Sequence, residues 1–217
     1  MKGMLVKDFK LMKGQRNFFA VIAAMAVGMA IFMEEPSFII GYMTFAGSLF
    51  TLSTISYDEF DNGNAFLFSL PISRKGYTVE KYQFGLIAGG VFWLFATVAV
   101  GIAGVLKNTV MVRDTVMIAL PVLPALMILL AVMLPFQFRF GGEKSRIAMI
   151  GAVSLLFAVS FAVVRIAGVF HVDLVSVWNR LLAGSMGKFI AVIFLAAIMG
   201  FLISLKISIA IMNKKEF

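Results

Sequence analysis

The chain has few side chains capable of covalent or metal chemistry. It contains no cysteine and a single histidine, His171. Disulfides and thiolate metal sites are therefore excluded. Histidine-cluster zinc sites and a Ser-His-Asp arrangement elsewhere in the chain are not expected. The nearest approach to a phosphate-cradling loop is Gly184-Ser185-Met186-Gly187-Lys188-Phe189. The G-x-x-x-x-G-K-[ST] pattern needs a wider glycine spacing and a hydroxyl after the lysine. If this chain takes part in active work, another polypeptide supplies the ATP.

The chemistry that remains is recognition, and it concentrates in ISYDEFDNGNAFLFSLPISRKGYTVEKYQF, Ile55 to Phe84. Tyr57, Asp58, Glu59, Phe60 and Asp61 form an acidic, aromatic run. Ala65, Phe66, Leu67, Phe68, Ser69 and Leu70 follow, mostly large and apolar, and Arg74 and Lys75 come after Pro71. An apolar centre with charges at its rim suits a protein–protein contact. A segment packed on its own helices is the alternative. Leu70 precedes a proline, which disfavours helix there, and Ser73 is placed to cap a new helix beginning at Arg74. The expected shape is helix, break, helix, over residues 57–83.

The elements that position this stretch are spans in lipid. Of 217 residues, 61% are hydrophobic, against about half in a soluble domain, so too little polar surface exists to cover a globule in water. A helix needs roughly 20 mostly apolar residues to cross a bilayer. Six stretches qualify, at about residues 18–33, 37–55, 84–106, 115–136, 147–170 and 188–212. The small residues Ala23, Ala24 and Ala26 lie inside the first apolar run rather than after it, so that run reads as a span and not as a cleaved signal. The fold class expected is an all-α membrane protein of six transmembrane helices in one domain.

Lysine and arginine set the orientation. Lys2, Lys7, Lys10, Lys13 and Arg16 precede the first span. Arg74, Lys75 and Lys81 follow the second, Arg139, Lys144 and Arg146 the fourth, and Lys206, Lys214 and Lys215 lie at the C-terminal end. The opposite side is poorer in basic residues. Both termini and residues 57–83 are therefore expected in the cytoplasm. The net charge of +8 reports this bias rather than nucleic-acid binding. Met1, Met4, Leu5, Phe9 and Met12 follow helical spacing between lysines. The N-terminal segment, with Lys2, Leu5, Phe9 and Met12, is expected to be an amphipathic helix lying on the inner leaflet, apolar side down.

No Asp, Glu or His falls within the six spans, which argues against an ion-driven transporter and against an intramembrane enzyme. Arg165 and Lys206 can snorkel to the interfaces. Pro121 and Pro124, near the outer end of the fourth span, either kink it, open a cavity or are breaks that neighbouring helices repair; Pro135 lies near its inner end. Gly85 and Gly89 have small-xxx-small spacing, which serves packing within one subunit as well as between two.

The chain resembles the bacterial ABC-2-type transporter permeases. The residues that carry the resemblance are Asp58-Glu59 after the second span, Leu70-Pro71-Ile72-Ser73-Arg74-Lys75, Lys81-Tyr82 at the third span, and the opening MKGMLVKDFKLMK. The resemblance implies a permease subunit of an ATP-driven exporter in the bacterial plasma membrane, with no cofactor in this chain. Residues 57–83 would be a coupling helix presenting Tyr57, Asp58, Glu59, Phe60, Phe66, Leu67, Leu70, Pro71, Arg74 and Lys75 to a separate ABC ATPase subunit. Two such ATPases, binding ATP and Mg, would serve two permease subunits, identical or paralogous, with the substrate path between them. The chain's 23 Phe and 15 Met suit an adaptable apolar path for amphipathic or hydrophobic cargo such as peptides, antibiotics or lipid-like molecules, although lipid-facing surface accounts for most of them. The alternative is a non-transporting membrane scaffold, sensor or assembly protein.

Overall fold

The computed structural model of the protein describes residues 2–32, 35–60, 63–107, 112–142 and 186–215, with single positions between 144 and 165. Nearly all of these residues are helical. In chain order the helices are α1 (Lys2–Gly14), α2 (Arg16–Phe32), α3 (Pro36–Glu59), α4 (Gly63–Ser69), α5 (Arg74–Lys107), α6 (Val112–Ala119), α7 (Val122–Phe140) and α8 (Met186–Lys214). Among the described residues four helical stretches are long and apolar enough to cross a membrane, namely Pro36–Glu59, Arg74–Lys107, Arg113–Phe140 and Ile190–Lys214. They correspond to the second, third, fourth and sixth expected spans. The first expected span is the shorter apolar helix Arg16–Met29. The fifth, at 147–170, lies outside the described residues apart from single positions.

The core is a seam between α3 and α5, flanked by α7 and α8. α3 is rich in hydroxyls, yet each of four turns back onto its own helix. Thr44 donates to the Ile40 carbonyl at 2.7 Å, Ser48 to Phe45 at 2.9 Å, Thr54 to Thr51 at 2.9 Å and Ser56 to Leu52 at 3.1 Å. Satisfied this way, a polar residue can be buried at little cost. Glycines then let the helices close. A Cβ on Gly89 would stand 2.7 Å from Leu126 and 3.1 Å from Ser48, and one on Gly85 3.0 Å from Leu130 and 3.1 Å from Thr51. Both glycines therefore serve packing inside this chain. The tightest approach is at Gly47, where a Cβ would lie 3.0 Å from Cβ of Phe92 and 2.6 Å from Cγ of its ring. Gly47→Ala should cost about 1–3 kcal/mol by overpacking, read as a lowered unfolding temperature in detergent. Phe92→Ala on top of it should return part of that loss. An unchanged melt for Gly47→Ala would contradict the close approach.

The fourth span is two helices. Pro121 lacks an N–H and cannot continue α6, so the chain turns at Leu120 and Pro121. Ala125 N–H then bonds the Pro121 carbonyl at 3.4 Å and Leu123 N–H the Leu120 carbonyl at 3.3 Å. The Ala119 carbonyl, left without its usual partner by the break, accepts the indole N–H of Trp93 from α5 at 2.9 Å. Neighbouring groups repair this break, as membrane burial demands. Pro135 sits inside α7 with the helix intact around it.

α8 is tied in by a polar relay. Ser204 donates to the Ala131 carbonyl at 2.5 Å. Its hydroxyl hydrogen is thereby used, so the Tyr82 hydroxyl donates to Ser204 at 2.6 Å and accepts from Ser208 at 2.8 Å. α5, at 34 residues, is about 51 Å long at 1.5 Å per residue. That exceeds a hydrocarbon core of about 30 Å. The surplus begins the helix at Arg74, ten residues ahead of the expected span start, with the Gly76 N–H bonded to Ser73 Oγ at 3.0 Å. The Ser73 cap and the break after Leu70 are both as the sequence suggested.

Candidate functional site

Four helix termini gather at one end of the bundle, and the groups they bring are charged. On α5, Tyr77, Lys81, Phe84 and Ala88 recur at helical spacing and are all buried, so one face of the helix carries a lysine into the protein. On α3 the same logic places Thr51, Thr54, Ile55 and Asp58 inward. On α1 it places Met4 and Asp8 inward. Lys81, fully buried, is where the three faces meet. Its ammonium pairs with Asp8 Oδ2, lies 2.8 Å from Asp58 Oδ2 and donates to Thr54 Oγ1 at 3.0 Å. Asp58 also pairs through Oδ1 with Lys7 and accepts the Tyr77 hydroxyl on Oδ2 at 3.1 Å. Lys7 reaches Asp8 Oδ1 at 3.2 Å.

Two ammonium groups thus face two aspartates, with every lysine contact charge-assisted. Burial acts against the charge on Lys7, but the Asp58 and Asp8 carboxylates more than offset it and hold its ammonium above the ordinary lysine value. Glu80 is fully buried beside the cluster, 4.0 Å from the Lys81 ammonium, and its oxygens find no hydrogen-bond partner among the described residues. Tyr77 closes the site below, with its ring 5.3 Å from the Lys81 ammonium and edge-on to Phe68 at 5.6 Å. Among the described residues no group of acids or histidines could hold a metal ion. What the cluster does is join α1, α3 and α5 at one point.

The foot of the bundle beside this cluster carries the sequence-derived contact residues, and they divide into two sets. Phe60 and Phe66 are each 72% exposed, and Tyr57 and Leu70 nearly half exposed; Pro71 and Lys75 are exposed as well. Leu67 is buried and pins α4 to the core cluster containing Tyr77 and Phe138. The charges expected at the rim are largely engaged within the chain. Asp58 belongs to the buried cluster. Glu59 pairs with Lys215 at 3.0 Å. Arg74 donates to the last carbonyls of α8, Asn213 at 2.9 Å and Met212 at 3.4 Å, a basic cap at a helix C-terminus.

The N-terminal helix forms, with one set of its apolar residues turned to protein while Val6 stays exposed. Leu5, Phe9 and Met12 pack against Phe50, Phe84 and Ala88, with the Phe9 and Phe84 rings edge to face at 5.2 Å. The reason is Asp8, drawn inward by Lys81, which fixes the helix rotation. The side chain of Lys2 is outside the described set. Lys7, Asp8, Thr54, Tyr77 and Lys81 were not singled out as a site from the sequence. The available signal was that Asp8 is the sole acid among the first seventeen residues and Lys81 falls in register with Tyr77 and Phe84.

The profile of the ABC-2 family transporter proteins matches residues 3–213. The chain belongs to the ABC-2 transporter family. The match runs from α1 to the last turn of α8, so every helix described above lies within the family domain. As an ABC-2 protein the chain is a multi-pass membrane permease of an ABC transporter, a subunit that associates with an ABC ATPase and is not generally the catalytic one. No curated protein and no solved structure matched the sequence.

Proposed function

We propose that this ABC-2 chain is the permease subunit of an ATP-driven exporter, and that residues 57–75 are the element on which its ATPase partner seats. The observation that carries this reading is the exposed apolar group Phe60, Phe66 and Leu70 at the foot of the bundle, immediately beside the ion cluster that ties α3 to α5. Exposed aromatics at a polar end of a membrane protein are costly in water, and cover by a partner with an apolar groove removes that cost. ATP-driven closure of two ATPases would push on α4, and the push would pass through Asp58 and Lys81 into α5. Two permease copies would enclose the path between them, in the plasma membrane of a bacterium, with both termini and this element in the cytoplasm. The cargo is amphipathic or hydrophobic, in keeping with the adaptable side chains of the chain's 23 Phe and 15 Met.

The test is co-purification in mild detergent with the ATPase that partners it. Phe66→Asp with Leu70→Asp places two charges where the apolar contact is centred and should release the ATPase, lowering its recovery at least tenfold. Both side chains are exposed, so the permease should still elute as a folded particle. Retention of the ATPase by the double variant would place its seat elsewhere.

A further inference from the structure

A groove of about 610 Å³ runs along the outward face of α1 and is closed on one side by Tyr57 at the end of α3, with Gly3, Val6, Lys7, Lys10 and Gln15 among its walls. The face of α1 that lines it is entirely basic or neutral, because the helix's one acid, Asp8, is turned inward and fully buried. Among the described residues Lys10 has no ion-pair partner. Lys7 has three N–H donors, of which Asp58 and Asp8 take two, leaving one toward the groove. Tyr57 accepts from the Gln15 amide, so its own O–H is free to donate. Val6, 54% exposed, and Leu11 give the same groove an apolar wall.

We propose that this groove binds the headgroup of an anionic phospholipid, with the phosphate on Lys10, Lys7 and the Tyr57 hydroxyl and the upper acyl carbons against Val6 and Leu11. A lipid is favoured over a soluble anion because the groove is both basic and apolar, and because α1 lies level with Phe84, where the expected third span meets the bilayer surface. Basic residues at that height face the phosphate layer. The phosphate shares Lys7 with Asp58, so occupancy weakens the hold of Lys7 on the buried cluster and connects lipid composition to the joint between α3 and α5. The inference rests on the proposed function only for the significance of that connection; binding itself needs no ATPase.

The experiment is native mass spectrometry of the purified full chain, given equal amounts of phosphatidylglycerol and phosphatidylcholine with matched acyl chains. Phosphatidylglycerol should be retained about tenfold over phosphatidylcholine. Lys10→Gln should lower its retention about fivefold and Tyr57→Phe by two- to threefold, while Lys144→Gln, at an exposed lysine away from the groove, should leave it unchanged. Equal retention of the two lipids, or a Lys10→Gln loss no larger than that of Lys144→Gln, would overturn the proposal. Complete displacement by millimolar inorganic phosphate would do so too, by marking the site as one for a soluble anion. Because no ATPase is present, a failure of ATPase capture leaves these outcomes untouched, and the reverse holds as well.

Discussion

Replacing Lys81 with methionine should destabilise the protein by about 3–5 kcal/mol, the range for removing one partner of a buried ion pair. The size follows from what is left behind. Asp8 is fully buried and Asp58 nearly so, and without the ammonium Asp8 loses its closest counter-charge, Asp58 one of its two, and Thr54 a donor. Lys7 can compensate one of them, at the half-exposed edge of the site. Thermal unfolding in detergent measures the effect. The triple variant Lys81→Met, Asp8→Asn, Asp58→Asn should recover much of the loss, because a buried ionic cluster removed whole is often close to neutral. A single Lys81→Met variant that melts with the unaltered protein would show that the three helices do not meet through these charges.

The second large effect is on coupling, over and above the stability cost of removing a carboxylate from the buried cluster. Asp58→Asn should leave the ATPase bound and its basal hydrolysis largely intact, yet lower transport by roughly tenfold, within the 5–150-fold span of typical coupling energies. The substituted amide keeps a carbonyl for the Tyr77 hydroxyl but presents an uncharged NH2 group to one of the two lysines. The mechanical tie from α4 to α5 would then be loosened while the docking residues Phe60, Phe66 and Leu70 are untouched. Vesicle uptake measured beside ATP hydrolysis separates the two quantities. Proportional loss of both would assign Asp58 to the stability of the complex instead.

The sequence made the membrane-spanning part legible because lipid imposes a simple rule, a long apolar run for each crossing, and the second, third, fourth and sixth runs are helices in the structure. It was legible at Ser73 and Pro71 because capping and proline chemistry act locally. The internal pairing of Asp58 and the rotation of α1 were not legible, for a shared reason. A charged residue reads as solvated when its counter-charge is distant in sequence, and Lys81 lies 73 residues from Asp8 and Lys7 51 from Asp58. The start of α5 at Arg74 was legible through Ser73, but the burial of Glu80 and Lys81 was not, because α1 and α3 supply the enclosure. The split of α6 from α7 was visible in Pro121, but its repair by Trp93 was not, because a carbonyl without a partner leaves no mark on composition.

The glycine seam has a mechanical corollary. Gly47 of α3 takes the ring of Phe92, and Gly85 and Gly89 of α5 stand against the short side chains of Thr51 and Ser48, so α3 and α5 pack closely, with α7 laid over the same two glycines through Leu130 and Leu126. With the Phe92 ring keyed over Gly47 and only short side chains facing Gly85 and Gly89 from α3, the two rods have little slack to slide past one another. They must pivot as a single stiff lever, and the compliance that any alternating motion requires falls to the proline elbow between α6 and α7.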